Sequence, residues 1–260
     1  MPVKTKRGSK SDVVGKVERI LFVPDCHHPN VDVRAWALML RAGLAFKPDT
    51  IVVLGDFIDN DSLSMHAPSS VKHGTLKYEI EMTVLALEEL KRLGAERHIY
   101  LAGNHEWRLE RYVAQRAPAF DNIISMRDLL ELDEGGWEWH RYGATCKLGK
   151  LNLTHCVGGK AGANAHRSAA VSHMGSTIIG HTHRMAYDVR GQFNGHAYLA
   201  AMFGWLGDFD SAAEYMHDAA SRSEWVHGFG LGYMLANGIV HVQPVPIIDG
   251  ACLVDGRIVT

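Results

Sequence analysis

An α/β fold is what this chain predicts, on three observations. Short apolar runs alternate with helical patterns through its first half, a hairpin signal near the C-terminus separates two strand-like runs, and 260 residues at 47% hydrophobic and 22% charged are enough for one large core. Residues 19–24 read as a strand, residues 32–46 as an amphipathic helix and residues 50–54 as the next strand, which is βαβ grammar. Residues 78–93 place Ile80, Val84, Leu87 and Leu90 at helical spacing, and residues 98–101 form a third apolar run that closes on Gly103. Parallel neighbouring strands follow from that order. Residues 60–77 are too polar for core and, coming after a strand end, are placed for a ligand-contacting loop. Residues 107–116 are predicted helical, whereas residues 127–142, charged and Trp-containing, give no clear pattern. In the second half, residues 148–155 and 176–179 are strand-like and residues 161–173 helical. Residues 230–236 and 239–245 flank Asn237-Gly238, the pair favoured in a type I′ hairpin, so this half should hold antiparallel pairs. No internal repeat or low-complexity linker divides the chain, and the expected organisation is a flexible basic tail over residues 1–16 followed by one domain over residues 17–260.

Composition excludes several classes. A formal net charge of -2 provides no overall basic field to draw the protein to nucleic acid, and any such contact must be local. Cys26, Cys146, Cys156 and Cys252 form no C-x-x-C pair, so neither a thiolate zinc site nor a disulfide framework is indicated, and a reducing compartment is expected. No apolar run approaches the roughly 20 residues that span a bilayer, and residues 1–10 are polar and basic. The expectation is a cytoplasmic protein with no membrane partner.

The chemistry sits in clusters at predicted strand ends: Asp25-Cys26-His27, Gly55-Asp56-Phe57-Ile58-Asp59, Gly103-Asn104-His105-Glu106, His155, and Gly180-His181-Thr182-His183. Each alone has an ordinary reading. Asp25 could cap a turn, Gly55-Asp56 could start a helix, Asn104 could be an N-cap with Glu106 favouring the positive helix end, and His181 and His183 could lie exposed on a strand edge. Taken together they supply only metal-competent groups, and residues beyond the strand C-termini of an α/β sheet converge on one crevice. The preceding glycines suit tight turns with close backbone approach.

As an ordered set, Asp25-x-His27, Gly55-Asp56-x-x-Asp59, Gly103-Asn104-His105-Glu106, His155 and Gly180-His181-x-His183 resemble the complete signature of the calcineurin-like metallophosphoesterase superfamily, over about 60% of the chain. The resemblance implies a four-layer αββα sandwich with two facing mixed β-sheets and a dinuclear site at the ends of the central strands. It assigns Asp25, His27 and His183 to one metal and Asn104, His155 and His181 to the other, with Asp56 bridging. Independently, a bridging carboxylate offsets repulsion between cations about 3.5–4 Å apart, and a mixed oxygen and nitrogen set suits manganese, iron, zinc or nickel better than magnesium, manganese being favoured here. A water shared by two such cations loses a proton near neutral pH and can attack phosphorus in line. His105, the family's histidine beside the metals, is assigned to protonating the leaving oxygen or stabilising the transition state, with Asp59 orienting it.

Substrate-binding candidates are Arg108, one helical turn from Asn104, and His28. Arg108 could equally pair with Glu106 or Glu110. His66, His73, His166 and Arg184 adjoin the motifs, and Cys26 and Cys156 are expected to point away from the metals as buried thiols. Where protein phosphatases of this superfamily continue Asp-Arg-Gly, this chain has Asp59-Asn60-Asp61, which removes their phosphate-clamping arginine. The chain is also short for the nuclease branch that carries a capping domain. The expected partner is a phosphate-ester substrate, with a nucleotide or nucleic-acid phosphodiester favoured; Lys4, Lys6, Arg7 and Lys10 could help hold a polyanion, but a solvated tail is the plainer reading. The alternatives are a phosphomonoesterase, a silent scaffold that keeps the fold, and a nucleic-acid-binding protein with structural metals. For the last, Trp137 and Trp139 are the only hint.

Overall fold

Strand β1 (Glu18–Val23) explains the layering by itself, because both of its faces are buried: Ile20 and Phe22 point to one side, Leu21 and Val23 to the other. A strand apolar on both faces must lie between two layers. The computed structural model describes residues 15, 17–64, 75–193, 195–215 and 222–260. The expected basic tail with Lys4, Lys6, Arg7 and Lys10 falls outside the described residues, as do His66 and His73.

From β1 the chain runs through α1 (Val33–Phe46), β2 (Thr50–Val53), α2 (Leu76–Lys91), β3 (Arg97–Leu101), α3 (Trp107–Arg116), α4 (Met126–Leu129) and β4 (Trp137–His140). Strands β1 to β4 are parallel neighbours. Helix α1 starts where Asp32 accepts hydrogen bonds from Arg34 N and Ala35 N, at 2.9 and 2.8 Å, and ends at left-handed Lys47. Thr75 caps α2 in the same way through Tyr78 N. The remaining elements are β5 (Cys146–Leu148), β6 (Leu151–Thr154), α5 (Ala165–Ser172), β7 (Thr177–Ile179), β8 (Met185–Gly191), β9 (Ala197–Phe203), α6 (Phe209–Tyr215), β10 (Gly228–Met234), β11 (Val240–Pro246), β12 (Cys252–Val254) and β13 (Arg257–Val259).

Two mixed sheets result. One has the order β11-β10-β1-β2-β3-β4 and the other β5-β6-β7-β9-β8, with β12 and β13 forming a separate hairpin. Ile20, Phe22, Val52 and Ile99 from the first sheet meet Leu148, Leu153, Ile178, Ala201 and Phe203 from the second, which is the core between the sheets. Trp36, Met39, Phe46, Leu87, Leu90 and Leu109 from α1, α2 and α3 cover the outer face of the first sheet. Ala165 and Ala169 of α5 pack on Ile179 and Met202 outside the second. This is the four-layer αββα sandwich expected from the sequence. All four cysteines are free and buried, which was expected of Cys26 and Cys156. Among the described residues no helix is long and apolar enough to cross a membrane.

Three sequence expectations are revised. Residues 148–155 are not one strand but the β5–β6 hairpin, closed by Gly149 and Lys150. Gly149, at φ 57°, supplies the left-handed first position that such a two-residue turn requires. The β10–β11 connection is not a type I′ turn. Gly238 N donates to Leu235 O at 2.8 Å, and in this turn only Gly238 has a positive φ, at 79°, giving a three-residue loop. Residues 127–142 hold α4 and β4, the latter an edge strand that extends the first sheet.

The aromatic contact between the sheets, Phe22 against Phe203 with ring centroids 5.4 Å apart, gives a direct stability test. Phe22→Ala is expected to cost about 3–5 kcal/mol in urea unfolding. Leu85→Ala, at a position 59% exposed, should stay within about 0.5 kcal/mol. Equal midpoints for the two variants would show that packing between the sheets does not hold the fold.

Candidate metal centre

The C-terminal ends of β1, β2 and β3 in one sheet and of β6 and β7 in the other meet at one place, and each delivers a cluster of polar side chains there. The backbone is held in an uncommon conformation to do so. His27, Asp56, Asn60, His181 and His183 all have positive φ, from 47° to 69°, which costs a non-glycine residue free energy and persists only where surrounding contacts enforce it. Those contacts are present. Cys26 N and His27 N both donate to Asp56 O at 3.0 Å, His28 N to Phe57 O at 2.8 Å, and Asp59 N to His28 O at 2.9 Å. The Asp25 carboxylate accepts from His181 N at 2.9 and 3.1 Å, so it ties the two sheets together at the site.

The glycines of the motifs are steric necessities. A Cβ on Gly103 would collide with the Asp56 carboxylate, one on Gly180 would lie 2.7 Å from Asp25 Oδ1, and one on Gly55 would lie 2.5 Å from His155 Nδ1. Glu106, which the sequence suggested was only favouring a helix end, is fully buried. Its Oε2 accepts from Gly103 N at 2.6 Å and Asp56 N at 3.0 Å, and its Oε1 from Phe57 N at 2.9 Å and the Tyr100 hydroxyl at 2.8 Å. One carboxylate thus gathers the turn after β2 and the turn after β3.

Donor atoms converge above this scaffold. His27 Nε2 lies 3.1 Å from His183 Nε2, which is 3.2 Å from Asp25 Oδ2. His155 Nε2 lies 3.1 Å from Asn104 Oδ1 and 3.2 Å from Asp56 Oδ2. Among the described residues three groups each offer atoms within 4.8 Å of one another: Asp25, His27 and His183; His27, Asp56 and His105; and Asp56, His155 and His181. Asp56 belongs to two of them. Outer contacts aim the rings: His155 Nδ1 donates to Leu54 O at 2.9 Å, and His27 Nδ1 lies 3.2 Å from Asp59 Oδ1.

Electrostatics follow from this crowding. Burial works against ionisation of Asp56, but His155 and His105 outweigh it and hold the carboxyl well below the usual range. Asp59, also buried, is held well below by hydrogen bonds from His105 and His27, and Asp25 is lowered chiefly by His183 against its burial. Burial disfavours protonated His155, yet Asp56 overrides it and pushes the pKa up to about 10. Burial dominates at His183, pushed down to about 4 despite Asp25, and together with the charge of His155 it lowers His181. Ionised carboxylates beside imidazoles, of which burial holds His181 and His183 towards the neutral form, make a donor set that suits divalent cations of the borderline type, and a bound cation would displace the proton that Asp56 draws to His155. His183 Nδ1 is buried without a hydrogen-bond partner, so the polar contacts of that ring are made through Nε2, to Asp25 and His27, and packing holds the rest.

A family model described as calcineurin-like phosphoesterase matches residues 18–196, well over half of the chain. The chain belongs to the calcineurin-like phosphoesterase family. This makes it a metal-dependent phosphoester hydrolase by family. Among solved structures it is similar to Vacuolar Protein Sorting 29 from Cryptosporidium parvum, at 13% identity and TM-score 0.48, covering 94% of this chain and 95% of that one. It is also similar to a phosphatase from Mycoplasma pneumoniae, at 13% identity and TM-score 0.44, covering 89% and 94%. No relative among curated proteins matches the chain.

The candidate centre brings together every cluster that the sequence singled out, and the structure revises several individual residues. Arg108 pairs with neither Glu106 nor Glu110. Its Nη1 donates to Asp59 O at 2.9 Å, and its Nη2 lies 3.1 Å from His105 Nε2, which puts the guanidinium beside the centre. His28 is 3% exposed and packs edge-on to Trp36 at 4.9 Å and tilted to Phe57 at 4.8 Å. Burial pushes its pKa down to about 3, so it is a neutral core ring and not a cleft residue. His166 pairs with Asp188, and Arg184 with Glu224 at 2.6 Å.

Other contributors had no signal in the motifs. Trp205 stacks on His183 at 4.7 Å and 12°, Trp225 meets the same ring edge-on at 4.3 Å, and Asn30 Nδ2 donates to Asp59 Oδ2 at 2.6 Å. Asp59 serves two histidines rather than one, because its Oδ1 also lies 2.9 Å from His105 Nδ1. The gathering role of Glu106 can be checked with Glu106→Gln, which keeps the volume but turns an amide N–H towards backbone donors. Thermal unfolding is expected to show a loss of at least about 3 kcal/mol. An unchanged melting temperature would mean that the two turns hold without this carboxylate.

Proposed function

We propose that residues 17–260 act as one catalytic domain that hydrolyses a phosphate ester at a two-cation site, with Asp25, His27 and His183 on one ion, Asn104, His155 and His181 on the other, and Asp56 bridging. The observation that carries this reading is the position of Asp56, whose carboxylate offers a donor atom within 4.8 Å of one on His27 to one side and of those on His155 and His181 to the other. When bound, the cation pair supplies Lewis acidity, polarising phosphoryl oxygens and lowering the pKa of a water. The mixed oxygen and nitrogen donors suit manganese, iron, zinc or nickel, of which manganese is taken for the test below.

The protein's own groups complete the chemistry. His105 Nδ1 is anchored on Asp59, 2.6 Å from the carbonyl oxygen and 2.9 Å from Oδ1, which leaves Nε2 facing the centre 3.8 Å from Asp56 Oδ2. With Nε2 protonated the ring would deliver a proton to the leaving oxygen or stabilise charge on the phosphoryl group, a form that requires the Arg108 N–H facing Nε2 to turn to the phosphate. Arg108 sits beside Nε2, held by the Asp59 carbonyl, and offers its guanidinium to a second phosphoryl oxygen. Asn60 stands where protein phosphatases of the family carry arginine, and its side chain donates to His105 O at 2.9 Å, so Arg108 takes the anion-holding role. A nucleotide phosphate ester is the favoured substrate class. A silent scaffold is disfavoured because none of the seven metal-competent side chains is missing.

Manganese-loaded protein is expected to hydrolyse a chromogenic phosphate ester, monoester or diester. Asp56→Asn should lose both metal, measured by elemental analysis, and activity. His105→Ala should keep the metal and lose about 10²–10⁴-fold in kcat. Turnover by Asp56→Asn at the rate of the unaltered chain would sink the mechanism.

A further inference from the structure

Beside His155 lies a cleft of about 400 Å³ that the phosphoryl chemistry leaves unused, lined by Trp107, Glu110, Trp139, Arg141 and Tyr142. Trp107 and Tyr142 stack with centroids 5.6 Å apart at 28°, and the Tyr142 ring is 6.4 Å from the His155 ring. Trp107 is 41% exposed, while Leu109 and Val113 bury the opposite side of α3, so core packing does not account for it. Glu110 and Arg111 follow Trp107 at i+3 and i+4 and therefore share its face, and the Arg111 guanidinium sits 5.5 Å from the Trp107 ring. Glu110 Oε2 is buried with no hydrogen-bond partner. Such an oxygen calls for a donor; burial disfavours the carboxylate's charge, against backbone hydrogen bonds from its own residue and from Met126.

We propose that this cleft is a nucleobase subsite, in which a base bearing an exocyclic amino group stacks on the Trp107–Tyr142 pair, donates an N–H to Glu110 and sets its phosphate over the metal-competent cluster. The inference rests on the phosphoester-hydrolase reading above and narrows its substrates to nucleotides. Aromatic rings with an acid can also hold a quaternary ammonium. Here Arg141 and Arg111 line the same region and repel a cation, while they favour a ligand that carries phosphate.

Adenosine 5′-monophosphate and ribose 5-phosphate differ only in the base, so titration calorimetry of both against manganese-loaded protein isolates the subsite. The nucleotide is expected to bind about 10- to 100-fold more tightly. Trp107→Ala and Glu110→Ala should each reduce that preference by about tenfold, whereas Trp107→Phe, which keeps a stacking ring, should retain most of it. Equal affinities in the unaltered chain, or an undiminished preference in both alanine variants, would overturn the proposal. Manganese uptake measured in parallel separates the two readings. Metal uptake with equal affinities overturns only the subsite, whereas no metal uptake overturns the two-cation reading, and a nucleotide preference that persists without metal still supports the subsite.

Discussion

The site depends on one buried carboxylate that makes no contact with the proposed ions. Glu106 holds the N–H groups of Gly103, Asp56 and Phe57, and it can do so only because the ends of β2 and β3 lie side by side in a parallel pair. Charge-assisted hydrogen bonds of this kind are among the stronger interactions available to a protein interior. Once they form, Asp56 is committed to a positive φ, and its Oδ1 accepts from His105 N at 2.8 Å. The geometry of the remaining donors follows from that commitment.

Around this anchor the two sheets have separate tasks. The first provides acid and amide groups, together with His27 and His105, on turns that bend sharply after parallel strands, and the second provides only imidazoles, His155, His181 and His183, from the ends of β6 and β7. Their junction is closed by the Asp25 carboxylate on the His181 backbone and by apolar contact between the sheets below it. The imidazoles do not behave alike, although they share one pocket. His155 is drawn towards protonation by Asp56, and His183, stacked on Trp205, is driven towards neutrality by burial. Burial and charge thus act against each other over a few ångströms, which gives neighbouring groups opposite tendencies.

Much of this was readable in the chain before any coordinates. Motif residues at strand ends are visible in sequence because tight turns and metal-competent side chains demand particular residue types, and the helix read over residues 78–93, observed as Leu76–Lys91, followed from apolar spacing. The misreadings have physical causes. His28 adjoins a motif and so looked like a cleft residue, but alternation along the backbone turned it into an aromatic core. Leu148, Leu151 and Leu153 recur closely enough through residues 148–155 to read as one strand, which concealed the turn at Gly149-Lys150 between two strands that pair with each other. Asn237-Gly238 suggested a two-residue turn, and the observed loop uses only the glycine in the left-handed region.

Residue type and order determined that this protein would be α/β, that its chemistry would lie at strand termini, and which side chains could serve it. These properties are local, since a glycine's freedom, a histidine's lone pair and the period of an apolar pattern belong to the chain itself. Tertiary structure alone decided that Glu106 is a buried clasp, that Arg108 turns to His105, that Trp205 and Trp225 brace His183, and that Trp107 and Tyr142 form a shelf beside His155. Each of these depends on which distant segments become neighbours, and that is settled by packing over the whole domain.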